Sequence, residues 1–574
     1  MRGCINMDKK TRIAIIGSTV MVLIILITLG VTIVDKLTPS EEVMLLTDYY
    51  KVEDTEVLVI LQDKIYEKKG MLIDGVVYLD YETIVQNFNH RFYWDNNENI
   101  LTYTTPNEII QAEAGNSEYS VTKNMIKTKE SSDYPVVKVF AEDVYLALDF
   151  VGKYSDMTFT YYENPNRVVI KYLPGEYLFT EVAKATQLRF SASIKSQLLV
   201  QLPVGTSLIY VNMEEAPKKG FSKVMTEEGI IGYVKNKHVK ESYYQTINST
   251  YQEPEYTNIS KSKKVNLVFH QVFNTDAAGN LENLIKSTKG VTTVTPTWFT
   301  IDSVEGTISS LASKDYVEKA NELGLEVWAL VDDFNTEISM FDLLSHTSRR
   351  ETLANSLVEA AIEYKLNGIN IDFEKISNDT GIHYIQFLRE LSVKCRNNGI
   401  VLSVDNFVPT PYTEHYDREE QGKILDYVIV MAYDEYFAGS EVAGPVASLG
   451  FVQDAINNTL DVVPKEKTII AIPFYSRLWK ESEDGDISSE SLAMTPASEL
   501  LQSNKIETVW DETTAYNYAE YKMDGFVYKI WQEEEKSIEE KLKIIYDADV
   551  AGIAAWKLGL EKESTWNIIT KYLN

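Results

Sequence analysis

Cysteine, histidine and basic residues are all scarce in this chain, and each scarcity removes a class of chemistry. The only cysteines are Cys4 and Cys395, too few for a disulfide framework and without the paired spacing of a zinc site. The six histidines, His90, His238, His270, His346, His383 and His415, never stand at ligand spacing, so no metal is expected. Neither a GxGxxG nor a GxxxxGKS/T turn occurs, which argues against an open, doubly wound nucleotide-binding sheet, and no cofactor is implied. Lysine and arginine total 55 against 85 acidic residues, a net charge of −30, with no basic stripe, so nucleic acid is excluded as a partner. Attraction to a ligand must then come from hydrogen bonds and from the 36 tyrosines and 8 tryptophans.

The one long apolar run lies near the start. Ile13 to Val34 carry no charge and span about 33 Å as a helix, enough to cross a bilayer. Arg2, Lys9, Lys10 and Arg12 precede it, which predicts a cytoplasmic N-terminus and export of everything after Val34. The run exceeds the apolar part of a cleaved signal, and no small-x-small site follows in VTIVDKLTPS, so an uncleaved anchor is expected. Cys4 and Cys395 then lie on opposite sides of the membrane and cannot pair.

The segment NGINIDFE, residues 367–374, alternates apolar and polar side chains. As a strand it points Ile369, Ile371 and Phe373 one way and Asn370, Asp372 and Glu374 the other. Amphipathic helical patterns flank it, and a helix-covered parallel strand must turn its second face to another helix layer or to the inside of a barrel. Buried carboxylates without partners cost several kcal/mol each, about that order, so a structural role for this trio is difficult to sustain.

The helix and strand rhythm recurs eight times, in strands beginning at Val265, Val291, Leu325, Asn367, Ile400, Asp426, Thr468 and Val550. An α/β fold follows, with an eight-stranded (β/α)8 TIM barrel over residues 263–574. Polar and aromatic residues gather at the predicted C-terminal strand ends: Asp372 and Glu374, Asp405 and Asn406, Tyr433 and Asp434, Tyr475 and Arg477, and Trp556.

These residues resemble the family-18 glycoside hydrolases. The family's fourth-strand DxxDxDxE is met by Asn367, Asn370, Asp372 and Glu374, its sixth-strand MxYD by Met431, Tyr433 and Asp434, and its eighth-strand tryptophan by Trp556. PTWF, NIDFE, IPFYSRLW and AAWKLGLE look most like the bacterial branch associated with peptidoglycan and spore-cortex lysis. Two departures stand out. Both early aspartates are asparagines, and the third strand ends in ALVDDF rather than a Ser-x-Gly-Gly turn.

The resemblance implies retaining hydrolysis of β-1,4 linkages in an N-acetylglucosamine-containing polysaccharide, with the substrate's own acetamido oxygen as nucleophile. It assigns Glu374 as acid, Asp372 as its partner and acetamide orienter, and Tyr433 as hydrogen-bond donor to the acetamido carbonyl. Trp556 would floor the sugar subsite, with Trp298 and Tyr475 as further candidates; Asn370, Met431, Asp434, Arg477 and Asn406 complete the expected lining. Two rivals are a barrel that binds glycan without cleaving it, and a two-carboxylate glycosidase using Glu374 with Asp434.

Upstream of the barrel, a cytoplasmic tail (1–12), the anchor (13–34) and a linker (35–54) precede a repeat over 55–174. VYLDYETIVQNF…FYWDNNENILTYT and KVFAEDVYLALDF…FTYYENPNRVVIKY each read as strand, short helix and hairpin. This segment resembles the stalk-type domain named after the copper amine oxidase N-terminus and implies no copper. Residues 175–245 resemble a bacterial SH3-like barrel, which would bind wall peptide or glycan or act as a spacer, and 246–262 form a hinge.

Overall fold

The computed structural model describes residues 8–211, 220–249 and 251–573, so Cys4 and Arg2 lie outside the described residues. A single helix, Lys9–Leu37, opens this region; it is 29 residues long with no buried residue, and it is long and apolar enough to cross a membrane.

The chain divides into two compact units, and the larger contains the barrel. Its strands are β1 (Val265–His270), β2 (Thr293–Ile301), β3 (Glu326–Asp332), β4 (Gly368–Asp372), β5 (Val401–Phe407), β6 (Tyr427–Met431), β7 (Thr468–Pro473) and β8 (Gly552–Trp556). All neighbours pair in parallel and β1 closes the ring by pairing with both β2 and β8, which is the expected (β/α)8 topology. Alternation sorts each strand. Val265, Leu267, Phe269, Trp328, Leu330, Val401, Tyr427, Ile429, Ile469, Ala471 and Ala554 form one buried cluster inside the ring, while Val268, Val294, Ile369, Ile371, Val404, Val428, Val430 and Ile470 join a second with the helices. Close packing fixes some glycines: a Cβ on Gly368 would sit 2.8 Å from the Trp328 ring. Between β7 and β8 the chain inserts a five-stranded antiparallel sheet, spanning Tyr475 to Gln532, with helix Met494–Ser503 against it.

Four of the barrel's helices are α1 (Lys314–Glu322), α2 (Thr347–Tyr364), α3 (Gly381–Asn397) and α4 (Arg418–Ile424). The same unit also takes in residues 91–133, which the sequence pattern groups instead with the stalk-type repeat. They form a five-stranded antiparallel meander running from Tyr93 to Ser131. Buried polar contacts join it to α2, α3 and α4. Arg91 donates from Nε and Nη2 to the two carboxylate oxygens of Glu420 (2.9 and 3.1 Å), and Arg389 Nε donates to Glu420 Oε1 at 2.8 Å. Asp95 Oδ2 accepts from the backbone N–H and hydroxyl of Thr347 at the start of α2 (2.6 and 2.7 Å), and Tyr93 Oη bonds His383 Nδ1 at 2.6 Å. Burial pushes the Glu420 carboxyl up, but the guanidinium groups of Arg389 and Arg91 outweigh it and hold the group down to about 2.

The smaller unit comprises residues 1–90 and 134–253. Strands Val76–Asp80 and Asp143–Ala147 pair antiparallel, and each leads into a short helix, Tyr81–Asn87 and Leu148–Lys153. The two repeat copies therefore match in local structure, but the hairpins that come after them part company. Thr158–Tyr162 and Arg167–Lys171 pair with each other and stay in this unit, the second strand lying beside Glu56–Leu61, whereas Tyr93–Asp95 and Ile100–Thr104 belong to the meander. The described residues between 175 and 247 form a seven-stranded antiparallel sheet around Val182, Leu188, Leu202, Leu208, Val224 and Val234. A further cluster joins the two parts of the unit through Leu58, Ile60, Val169, Ile209, Met225 and Ile231.

Candidate active site

Strand β4 carries the acidic face. Ile369 and Ile371 are fully buried toward the helices, and Phe373 stacks on Phe387 of α3 with ring centroids 5.9 Å apart, so the alternation turns Asn370, Asp372 and Glu374 to the barrel interior. Asn370 is wholly buried and donates from Nδ2 to Ser403 Oγ (3.0 Å) and Asp405 Oδ1 (3.1 Å) on β5. Asp372 and Asp405 are buried as well, and Asp372 Oδ1 has no hydrogen-bond partner among the described residues. Glu374, half-buried, stands just past the strand end. Its backbone N–H donates to Asp333 Oδ1 (3.0 Å) and that of Lys375 to Asp333 Oδ2 (2.8 Å), so a buried carboxylate beyond β3 clamps the turn that presents Glu374.

The electrostatics derive from this crowding. Burial, then the Asp333 and Asp434 carboxylates, push Glu374 up to about 7 against the pull of Lys375. Asp372 is pushed well above the ordinary carboxylate range by burial and by Asp405, Glu374, Asp333 and Asp332. Burial also pushes Asp405 up, opposed by the hydrogen bond from Asn370. Tyr433 is driven well above its usual value by burial and the Asp405 and Asp372 charges, so its hydroxyl stays protonated and able to donate. The site thus holds an acid that keeps its proton near neutrality, a deeper pair of crowded carboxyls and a neutral phenol. That combination suits proton delivery to a leaving oxygen.

Around this group, Met431 is buried at the end of β6 and Tyr433 packs on the inner cluster. Tyr475 Oη donates to Asp434 Oδ1 at 2.6 Å, and Arg477 Nη2 reaches the same oxygen at 3.4 Å. Trp556 is half-buried at the end of β8, its ring 5.5 Å from Phe269, and the peptide to Lys557 is cis. Two expected lining residues are elsewhere. Trp298 is 2% exposed and packs edge-on against Tyr316 of α1 at 4.8 Å, on the outer side of the barrel wall. Asn406 donates from Nδ2 to Gln421 Oε1 of α4 at 2.7 Å, also outside. Both displacements reflect alternation, since Trp298 shares parity with outward Val294 and Asn406 with outward Val404.

The sequence model of the glycosyl hydrolases family 18 matches residues 230–561. The chain belongs to this family. Among curated relatives, the uncharacterized glycosylase YvbX of Bacillus subtilis (strain 168) is 26% identical over 269 residues, covering 44% of this chain and 76% of that protein. The cortical fragment-lytic enzyme of the same organism is 26% identical over 249 residues, 42% of this chain and 57% of its own length. The chain thus spans little more than half of that relative. The crystal structure of the Bacillus cereus spore cortex-lytic enzyme SleL shares the fold, with a TM-score of 0.50 at 19% identity over 57% of this chain and 79% of that one.

Proposed function

We propose that this family-18 hydrolase cleaves β-1,4 linkages at N-acetylglucosamine residues of peptidoglycan or spore cortex, with retention and with the substrate's acetamido oxygen as nucleophile. The observation that carries this reading is Glu374, held protonated near neutral pH at the barrel mouth directly above Asp372. Glu374 gives its proton to the leaving glycosidic oxygen while the acetamido oxygen closes on the anomeric carbon. Asp372 takes the acetamide N–H, and Tyr433 donates to its carbonyl oxygen. Water then opens the cyclic intermediate and returns a proton to Glu374. Trp556 floors the sugar, Asn370 and Met431 line the depth of the site, and Asp434, Tyr475 and Arg477 meet sugar hydroxyls. Asp434 is already engaged by Tyr475 and Arg477, which disfavours it as a second nucleophilic carboxylate. The likeness to a cortical fragment-lytic enzyme favours cortex or wall glycan over chitin. Helix Lys9–Leu37 would anchor the enzyme to the cell membrane with the barrel outside.

Paired substrates test the chemistry. An acetamido glycoside is expected to turn over, and its hydroxyl analogue to react at least about a hundredfold more slowly, because the built-in nucleophile is gone; equal rates would refute substrate assistance. Digestion of cortex, vegetative peptidoglycan and chitin should expose new N-acetylglucosamine reducing ends from the first two.

The pH dependence has a definite sign. An acid must be protonated to act, so kcat/KM should hold below neutrality and fall as pH rises through about 7, the value to which burial and the flanking carboxylates bring Glu374. Asp333 is the first of the charges that raise it. Asp333→Asn should therefore move this limb to lower pH, by about one unit, in a pH–rate profile.

A further inference from the structure

The chain lacks the early signature aspartates, and Asn370 fills the position two residues below Asp372. On the neighbouring strand a carboxylate stands instead. In the β4–β5 register Asn370 faces Ser403 and Ile371 faces Val404, so the next step along each strand brings Asp372 and Asp405 level. Both side chains are buried, at 6% and 2% exposure, and the Asn370 amide donates to Asp405 across the strand pair. Among the charges acting on Asp372, Asp405 is the strongest, ahead of Glu374, Asp333 and Asp332. The groups facing Asp405 are Asp372, Asn370 and Ser403 in the barrel interior, Glu374 above, and the phenols of Tyr433 and Tyr384; among the described residues no cation bears on it.

We propose that Asp405 is a positioning residue for the hydrolysis, sharing one proton with Asp372 so that the pair carries a single negative charge through the catalytic cycle. The proposal rests on the roles assigned to Glu374 and Asp372 under the proposed function. Two adjacent carboxyls in a water-poor interior cannot both ionise near neutrality, so one proton is retained between them. In the free enzyme it bridges the two groups. When Asp372 turns to the acetamide N–H as an acceptor, the proton stays on Asp405, whose other oxygen is fixed by Asn370. No net proton enters or leaves, and Asp372 is released as a full carboxylate beside the developing positive charge. Asn370 is then a donor that keeps Asp405 in place, and the uncharged amide leaves room for only one buried negative charge.

Asp405→Asn tests this with size and polarity preserved. The expected result is a fall in kcat of about tenfold or more with KM within about twofold, because Asp405 acts through Asp372 and not on the sugar. The basic limb of the pH–rate profile supplies a readout that a structural role would not move. In the wild type it should steepen from one proton to two, as Glu374 and then the pair deprotonate, and in Asp405→Asn it should stay at one. A kcat within twofold of wild type, or a loss of rate with the two-proton limb intact, would overturn the proposal. Should Asp405→Asn fail to fold, the exchange Asn370→Asp with Asp405→Asn keeps one carboxyl and one amide in the same volume. It is expected to restore most of kcat, and a folded but inactive exchange variant also overturns the idea. Failure of the wild type on all acetamido glycans would instead strike the underlying role of Glu374, so the two failures are distinguishable.

Discussion

Glu374→Gln is expected to lower kcat on acetamido glycan by about a thousandfold, with KM within about threefold and the melting temperature unchanged or raised. The amide keeps the length and planarity of the side chain, and the Asp333 clamp acts on the backbone N–H groups of residues 374 and 375, so the turn survives the exchange. What disappears is the transferable proton. Relief of crowding among Glu374, Asp333 and Asp434 accounts for the neutral or favourable effect on stability. Steady-state kinetics beside a thermal melt will decide the matter; a variant that retains a tenth or more of wild-type kcat would remove Glu374 from the acid role.

The second large effect concerns the support of the barrel. Glu420→Ala should destabilise the larger unit by about 3–5 kcal/mol, since it leaves two guanidinium groups, Arg91 and Arg389, buried without their shared carboxylate. Chemical denaturation of the full chain measures this. The pH dependence has the sign of a depressed carboxylate. The stabilisation from Glu420 is complete above the ordinary glutamate value, near pH 4.5, and is lost as pH falls through the folded value of about 2. Wild type should therefore lose stability over that interval by more than Glu420→Gln does. Equal denaturation midpoints for wild type and Glu420→Ala would mean that the network contributes nothing net.

Much of this arrangement is legible in the chain because it depends on local periodicity. Alternation in NGINIDFE separates Phe373 from Glu374, and the same parity rule sorts the other strands except at the end of β2, where a register shift between Thr297 and Phe299 leaves Trp298 and Phe299 both in the outer cluster. Strand position alone suggests Asn406, and the need for a ring to stack on a sugar suggests Trp298; in the fold both turn outward. The clamp by Asp333 is different in kind. It joins a carboxylate to backbone N–H groups 41 and 42 positions away, and nothing in the string ALVDDF distinguishes it from a loop acid. The meander is hidden for the same reason. Its hairpin repeats the local grammar of the second copy, and only the long-range pairing of Arg91, Tyr93 and Asp95 with helices some 250 to 330 positions later separates the two.

That separation sets an order of assembly. Residues 91–133 leave the ribosome long before α2, α3 and α4 exist, and the smaller unit must close its own sheets around the gap between residues 90 and 134. The meander is thus an early-made part whose buried partners on the barrel helices, Glu420 for Arg91 and Thr347 for Asp95, are synthesised last. A transplanted barrel would need those forty-odd residues carried with it, although they lie on the far side of an entire second domain in the gene.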